Sequence, residues 1–254
     1  MIATHIDLLS LLSQHNDAQS MALKSMPTVV SHMDAANGSL MLLFGEQVVH
    51  RVLATRGLFA EVSDHKVRTV MAEGLAGWVY RHRQGGLASD TTLDERWVSM
   101  GDTSIGSALV VPLMIRRTVI GLLSVHHTER GFFREAHLAT AAELAQLMAP
   151  LFEIALITES SIAAMSTLCR SSLGPSTVLD WKGDVKVVNE AMKQLDIVWE
   201  GVNLSQTLLP KELGLGQIVD CNWVGSRKMA SLPYEARATA FRGSGVWIQF
   251  DKCA

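Results

Sequence analysis

Nine histidines, three cysteines and a short acidic run are the side chains of this 254-residue chain that are able to do chemistry, and their spacing decides which chemistry. His126 and His127 are the only adjacent histidines, the arrangement that invites metal chelation. On a strand, neighbours point to opposite faces and cannot share one ion, so no metal site is expected. One ring then faces an interior space and the other solvent, or each is a strand-end residue with a satisfied ring. Asp90, Asp94 and Glu95 have the chemistry of general acids and bases. Spacing within a loop fixes no mutual geometry, and the usual fate of such charges is a solvated surface.

The nucleophile and phosphate signatures are missing. Cys169, Cys221 and Cys253 form no short-spaced pair, and their odd number argues against a disulfide framework, which points to a reducing, cytoplasmic setting. Gly214-Leu215-Gly216 lacks the third glycine of a dinucleotide fingerprint, no glycine-rich loop ends in Lys-Ser or Lys-Thr, and no Gly-x-Ser-x-Gly elbow occurs. A formal net charge of -3 gives no positive field to attract phosphates, so direct nucleic-acid binding is not expected. With 48% hydrophobic and 19% charged residues the chain folds, and its length suits one large domain or two ordinary ones. No uninterrupted apolar run approaches the ~18 residues of a membrane span, so no membrane contact is expected.

The elements that must position these residues follow from periodicity. The stretch from about Thr4 to Met33 has helical apolar spacing, with a change of direction predicted near Lys24 to Pro27: a leader helix, then a second helix packed on the segments C-terminal to it. Two apolar runs, 39–44 and 48–54, flank a glycine turn and read as a hairpin. Helix returns over Lys66 to Arg83, interrupted by Gly74 and Gly77, and the polar stretch Ser89 to Trp97 reads as a loop. A second hairpin spans Ser107 to Ile115 and Val119 to His127, with Pro112 admissible only at an edge or bulge. From Phe133 to about Leu168 the chain reads as one helix of about 54 Å at 1.5 Å per residue. Along it Leu144, Met148, Leu151, Ala155, Thr158, Ile162 and Met165 alternate steps of four and three, a seam that implies a partner helix or, alternatively, burial against the chain's own sheet or leader. Ser171 to Pro175 stops the helix, and two further hairpins, over 177–188 and 235–250, make the C-terminal part a small antiparallel sheet of the α+β class.

Several of these segments together resemble one family. Gly74-Leu75-Ala76-Gly77-Trp78-Val79, the loop from Ser89-Asp90 to Asp94-Glu95-Arg96, Ser107 to Leu113 with Ile120 to Val125, and Phe133-Arg134-Glu135 opening a long helix are similar, in that order, to a GAF domain over about residues 19–158. The resemblance implies a central antiparallel sheet, a small-molecule pocket, a cytoplasmic sensory role and dimers formed through terminal helices. Residues 175–254 resemble a short PAS domain, through Val178-Leu179-Asp180 and Val187-Val188-Asn189-Glu190-Ala191. The chain then divides into a leader (1–18), a GAF-like domain (19–158), a linker that ends the long helix (159–174) and a PAS-like domain (175–254).

The resemblance also narrows the chemistry. GAF domains of the phytochrome kind hold a bilin through a cysteine, and those that reduce free methionine sulfoxide need thiolates, but every cysteine here lies beyond residue 168. The Asn-Lys, Phe, Asp-Glu signature of cyclic-nucleotide binding is absent. What remains is a non-enzymatic sensor for an unknown small molecule, acting as a homodimer with a downstream signalling partner. Trp78, Ser89, Asp90, Trp97, Leu109 and His126 are its candidate ligand contacts, the last two on the sheet. The rival is a ligand-free scaffold that dimerises or recruits a partner. A polar-lined space of about 300 Å³ or more beside the Trp97 loop separates the two.

Overall fold

The computed structural model describes residues 2–14, 17–45, 47–55, 64–98, 104–180, 185–194, 224–228, 234–241 and 245–252. They belong to two compact units, Met1–Leu156 and Ile157–Ala254. The first unit begins with helices α1 (Ile2–Ser13) and α2 (Ala18–His32). They part between Ser13 and Ala18 and not near Pro27, which stands inside α2. Two forces explain the shift. The Asp17 carboxylate accepts the Ser20 amide at 2.7 Å, a proper helix cap. Beyond it Met21, Ala22, Met26, Val29 and Val30 are buried on one face, and this burial outweighs the ~3 kcal/mol an interior proline costs. Leu8 and Leu12 of the leader helix lie in the same core cluster.

Strands β1 (Asn37–Phe44), β2 (Gln47–Thr55), β3 (Gly86–Ala88), β4 (Ser107–Ile115) and β5 (Thr118–His127) form an antiparallel sheet in the order β2-β1-β5-β4-β3. The sheet is covered on both faces, and alternate residues serve each. Leu40, Leu42, Leu109, Val111, Leu113, Leu123 and Val125 pack with α1, α2 and the long helix α5 (Glu135–Ser171). Met41, Leu43, Val110 and Leu122 pack with α3 (Asp64–Glu73) and α4 (Leu75–His82). Pro112 is admitted because β3 pairs only as far as Val110, so among the described residues its part of β4 has no paired strand on that side. Gly77 lets α3 and α4 approach closely: a Cβ there would overlap the Met71 carbonyl, and Arg81 from α4 donates to the Met71 and Ala72 carbonyls at 3.1 Å.

Helix α5 runs unbroken although Pro150 stands within it. The sequence-based seam lies inside the protein. Leu144 and Met148 are fully buried and Ala155 is 4% exposed in the core of the first unit, with Leu151 half-buried against them. Met165 belongs to the core of the second unit, where Ile162 packs beside it. The apolar residues that α5 leaves in solvent are others: Ile154 (62% exposed), Ile157 (52%) and Leu168 (45%), continued by half-buried Leu147 and exposed Pro150. By length and composition α5 is able to cross a membrane. Leu144, Met148 and Phe152 are instead spent on the sheet.

In the second unit β6 (Ser176–Asp180), β7 (Val185–Val188), α6 (Glu190–Lys193), β8 (Val224–Lys228), β9 (Tyr234–Phe241) and β10 (Gly245–Lys252) give a sheet in the order β7-β6-β10-β9-β8. This repeats the connectivity of the first sheet, and β8 was not legible in the sequence. Met165, Cys169 and Val178 are its buried centre, with Trp247 and Val187 beside them, so the stretch 159–174 read as a linker carries core residues. The turns at 181–184 and 242–244, the region between Leu195 and Ile218, Cys221 and Cys253 lie outside the described residues.

Met148→Ala should lower the unfolding free energy by about 2–5 kcal/mol. Ile154→Ala, on the exposed face of the same helix, should stay within about 0.5 kcal/mol. Urea denaturation of dilute protein reads both, and equal effects would contradict the burial assigned to α5.

Candidate functional site

The site is built from one loop and the elements that hold its ends. Ser89 leaves β3 and the chain stays irregular through Val98. Thr91 ties the loop to the start of β4: its amide donates to the Gly106 carbonyl at 3.0 Å and its hydroxyl to the Ile105 carbonyl at 2.5 Å. Asp90 folds the next turn by accepting the Thr92 amide at 2.9 Å and the Thr92 hydroxyl at 2.6 Å. Those two bonds, the hydroxyl first, hold its carboxyl below the ordinary carboxylate range, and Arg130 at 3.6 Å adds to the effect.

The second anchor is Arg96. Its Nε and Nη2 donate to the two oxygens of Asp94 at 2.9 and 2.7 Å, a bidentate pair, and Nη2 also reaches the Leu87 carbonyl at 3.0 Å. The guanidinium lies 4.8 Å from the centre of the Trp78 ring. On α4, Trp78 stacks on His82 at 4.3 Å, one helical turn on. Hydrogen bonding from Arg96 pulls the Asp94 carboxyl down, and Asp94 in turn pushes the guanidinium up, so both stay charged.

Between these anchors lies a groove of about 560 Å³, lined by Ser89, Asp90, Leu93, Asp94, Glu95 and Arg96 and broadly open to solvent. Of the six expected contacts, Ser89 and Asp90 line it. Trp78 reaches it only through Arg96. Trp97 meets His126 edge to face, with centroids 5.6 Å apart. His126 is also tied to β1 through Asn37, whose Oδ1 lies 2.7 Å from Nδ1; that oxygen only accepts, which puts the ring proton on Nδ1. Leu109 does not belong with them. It is fully buried on the opposite face of the sheet, against Leu123 and Val125, because side chains alternate along β4 and its neighbours Ala108 and Val110 face the other way.

The loop is also bonded to the corner that leads into α5. Gly131 donates its amide to the Ser89 carbonyl at 2.7 Å, and Ser107 donates its hydroxyl to the Glu129 carbonyl at 2.8 Å. In that corner His127 stacks on Phe132 at 3.7 Å. Sequence reasoning missed the roles of Asn37, Arg96, Arg130 and Gly131; only the Asp-x-Arg spacing of 94 and 96 carried a trace of the clamp. Among the described residues no three His, Cys, Asp or Glu side chains gather as a metal site would require.

The profile of the GAF domain family matches residues 16–153, more than half of the chain. The chain belongs to the GAF domain family. Among solved structures, the GAF domain of a phosphoenolpyruvate-protein phosphotransferase from Coxiella burnetii is similar at 16% identity and a TM-score of 0.50, covering 63% of this chain and 96% of that one. The corresponding domain from Acinetobacter is 22% identical with a TM-score of 0.49, over 63% and 96%. A free methionine-R-sulfoxide reductase from Neisseria meningitidis, in complex with its substrate, is 14% identical with a TM-score of 0.50, over 60% and 87%. At these identities the likeness is one of fold. No curated protein matches the chain in sequence. The matched GAF stretch contains no cysteine, since the first of the three is Cys169.

The Asp94 carboxyl has a lowered folded pKa, so the clamp stabilises the GAF domain above the ordinary carboxylate value, about pH 4, and this contribution is lost as pH falls through the lower, folded value. Asp94→Asn should therefore flatten the acid limb of a plot of Tm against pH. An acid limb of unchanged slope would show that Arg96 and Asp94 do not hold the loop.

Proposed function

We propose that the chain is a non-enzymatic, cytoplasmic sensory module in which the groove beside Arg96 takes a small molecule and biases helix α5. The carrying observation is the direct bonding of groove to corner. Ser89 and Asp90 line the groove, and through the Ser89 carbonyl and the Asp90 carboxylate they hold Gly131 and Arg130, a few residues before α5 begins. A ligand that draws Asp90 or Ser89 toward itself alters those two contacts. It shifts the helix only by as much as it prefers one arrangement to the other. The non-enzymatic part rests on a GAF stretch without thiols and on carboxylates already engaged by Thr92 and Arg96. A thermal-shift screen of metabolite classes should find one that raises Tm by several degrees at saturation, and that ligand should slow amide exchange at 128–137. Arg96→Ala should abolish both responses. A screen in which nothing stabilises the protein would defeat the sensor reading.

The rival, a ligand-free scaffold, has its own support: the space between the sheet and α4 is filled by Leu75, Val79, Val110 and Leu122, and the groove is an open one. In both readings the chain acts as a homodimer. Positions 147, 150, 154, 157, 161, 164 and 168 alternate steps of three and four along α5, and Ile154, Ile157 and Leu168 among them are exposed. Ile154→Glu combined with Ile157→Glu should convert a dimer to a monomer in light scattering while leaving the far-UV dichroism intact. Wild-type protein that is monomeric at high concentration would rule this out. We read the C-terminal unit as a PAS-like module that hands the signal to a downstream partner. Its five-stranded antiparallel sheet, connected like that of the GAF domain, supports this.

A further inference from the structure

The second unit carries a hollow that the sensor reading does not use. It has a volume of about 700 Å³ and lies where the end of α5, the start of β7 and helix α6 meet. Its apolar surface comes from Val187, Val188, Ala191 and Leu173, and Leu173 is 100% exposed, the most exposed of the described large hydrophobic residues. Among the described residues three cations line it, Arg170, Lys186 and Lys193, against one carboxylate, Glu190. Glu190 is turned outward, with its side chain 83% exposed, and its 2.6 Å pair with Lys193 is a solvated surface contact of the weak kind. Lys186 holds Asp180 at 3.0 Å yet keeps 43% of its side chain in solvent.

What makes the hollow a formed site is Asn189. It is 4% exposed and uses its amide fully: Oδ1 accepts the Ser176 amide at 3.0 Å and the Met192 amide at 2.9 Å, and Nδ2 donates to the Ser172 carbonyl at 3.1 Å and the Gly174 carbonyl at 2.8 Å. One buried side chain therefore joins the loop after α5, the first residue of β6 and helix α6. The backbone around the hollow is thus held in place before a ligand arrives. An apolar floor rimmed by a net positive charge selects for a molecule with an apolar body and one anionic end.

We propose that this hollow binds a small amphiphilic carboxylate, its anionic end at Arg170 and Lys186 and its apolar chain over Leu173, Val187 and Val188. The inference is independent of the groove in the GAF domain. Octanoate is a direct probe on the full chain. In calorimetry it should bind saturably with one molecule per chain, whereas octylammonium and octanol should not. Amide exchange should slow at 170–193 and stay unchanged at 89–96. Arg170→Gln should weaken octanoate at least about tenfold, the worth of one charge-assisted bond, and Glu190→Gln should leave it equal or tighter. If Arg170→Gln does not fold, as judged by far-UV dichroism, Lys186→Gln replaces it with the same expected direction, and a folded Lys186→Gln variant that binds as the parent does overturns the proposal equally. The proposal is overturned by no saturable binding at millimolar octanoate, by equal binding of octylammonium, by protection confined to 89–96, or by a folded Arg170→Gln variant that binds as the parent does.

Discussion

A sheet covered on both faces leaves its strands no solvent side, and the first unit of this protein is arranged around that constraint. Every residue of β1 from Gly38 to Leu43 is buried, and the same strand feeds both cores, Leu40 and Leu42 on one side and Met41 and Leu43 on the other. Alternation then sorts side chains between the two faces, apart from the register shifts at Leu42/Leu43 and Leu113/Met114. Leu109 goes to the helical core and Ala108 and Val110 to the opposite side, while the neighbours His126 and His127 separate, one to Trp97 and Asn37, the other to Phe132. A pocket contact in this fold must have the parity of the face on which the loop lies.

The loop over that face is held by few but strong contacts. Arg96 is gripped by a bidentate carboxylate, a carbonyl and an indole ring at once, which a lysine's point charge would not satisfy. The same segment is bonded to residues 130 and 131 at the corner before α5. A groove open to solvent and the start of α5 thus share their supports.

The long helix shows how a correct period still leaves the direction of a face undecided. Steps of three and four recur along α5 in more than one phase because it is apolar nearly all round. The phase through Leu144 and Met148 is taken up by the core and that through Ile154 and Ile157 faces solvent. Pro27 and Pro150 make a related point: each stands inside a helix whose buried face, Met26 and Val30 in one and Met148 and Phe152 in the other, outweighs a local preference against it.

Local pattern by itself determined most strands and their turns, though not β3 or β8: both hairpins of the first sheet, the broken helix at Gly74, the polar loop from Ser89 and the asparagine that starts α6 are all legible as spacing, because hydrophobic alternation and turn chemistry act over a few residues. It also determined that the GAF stretch has no thiol to offer. Tertiary structure alone decided which phase of α5 is buried, that Leu109 turns away from the groove, that Arg96 joins Asp94 to Trp78, and that Asn189 ties four separate backbone groups together. Those outcomes depend on which surfaces meet across long sequence separations, and a one-dimensional period carries the frequency of such contacts but not their partners.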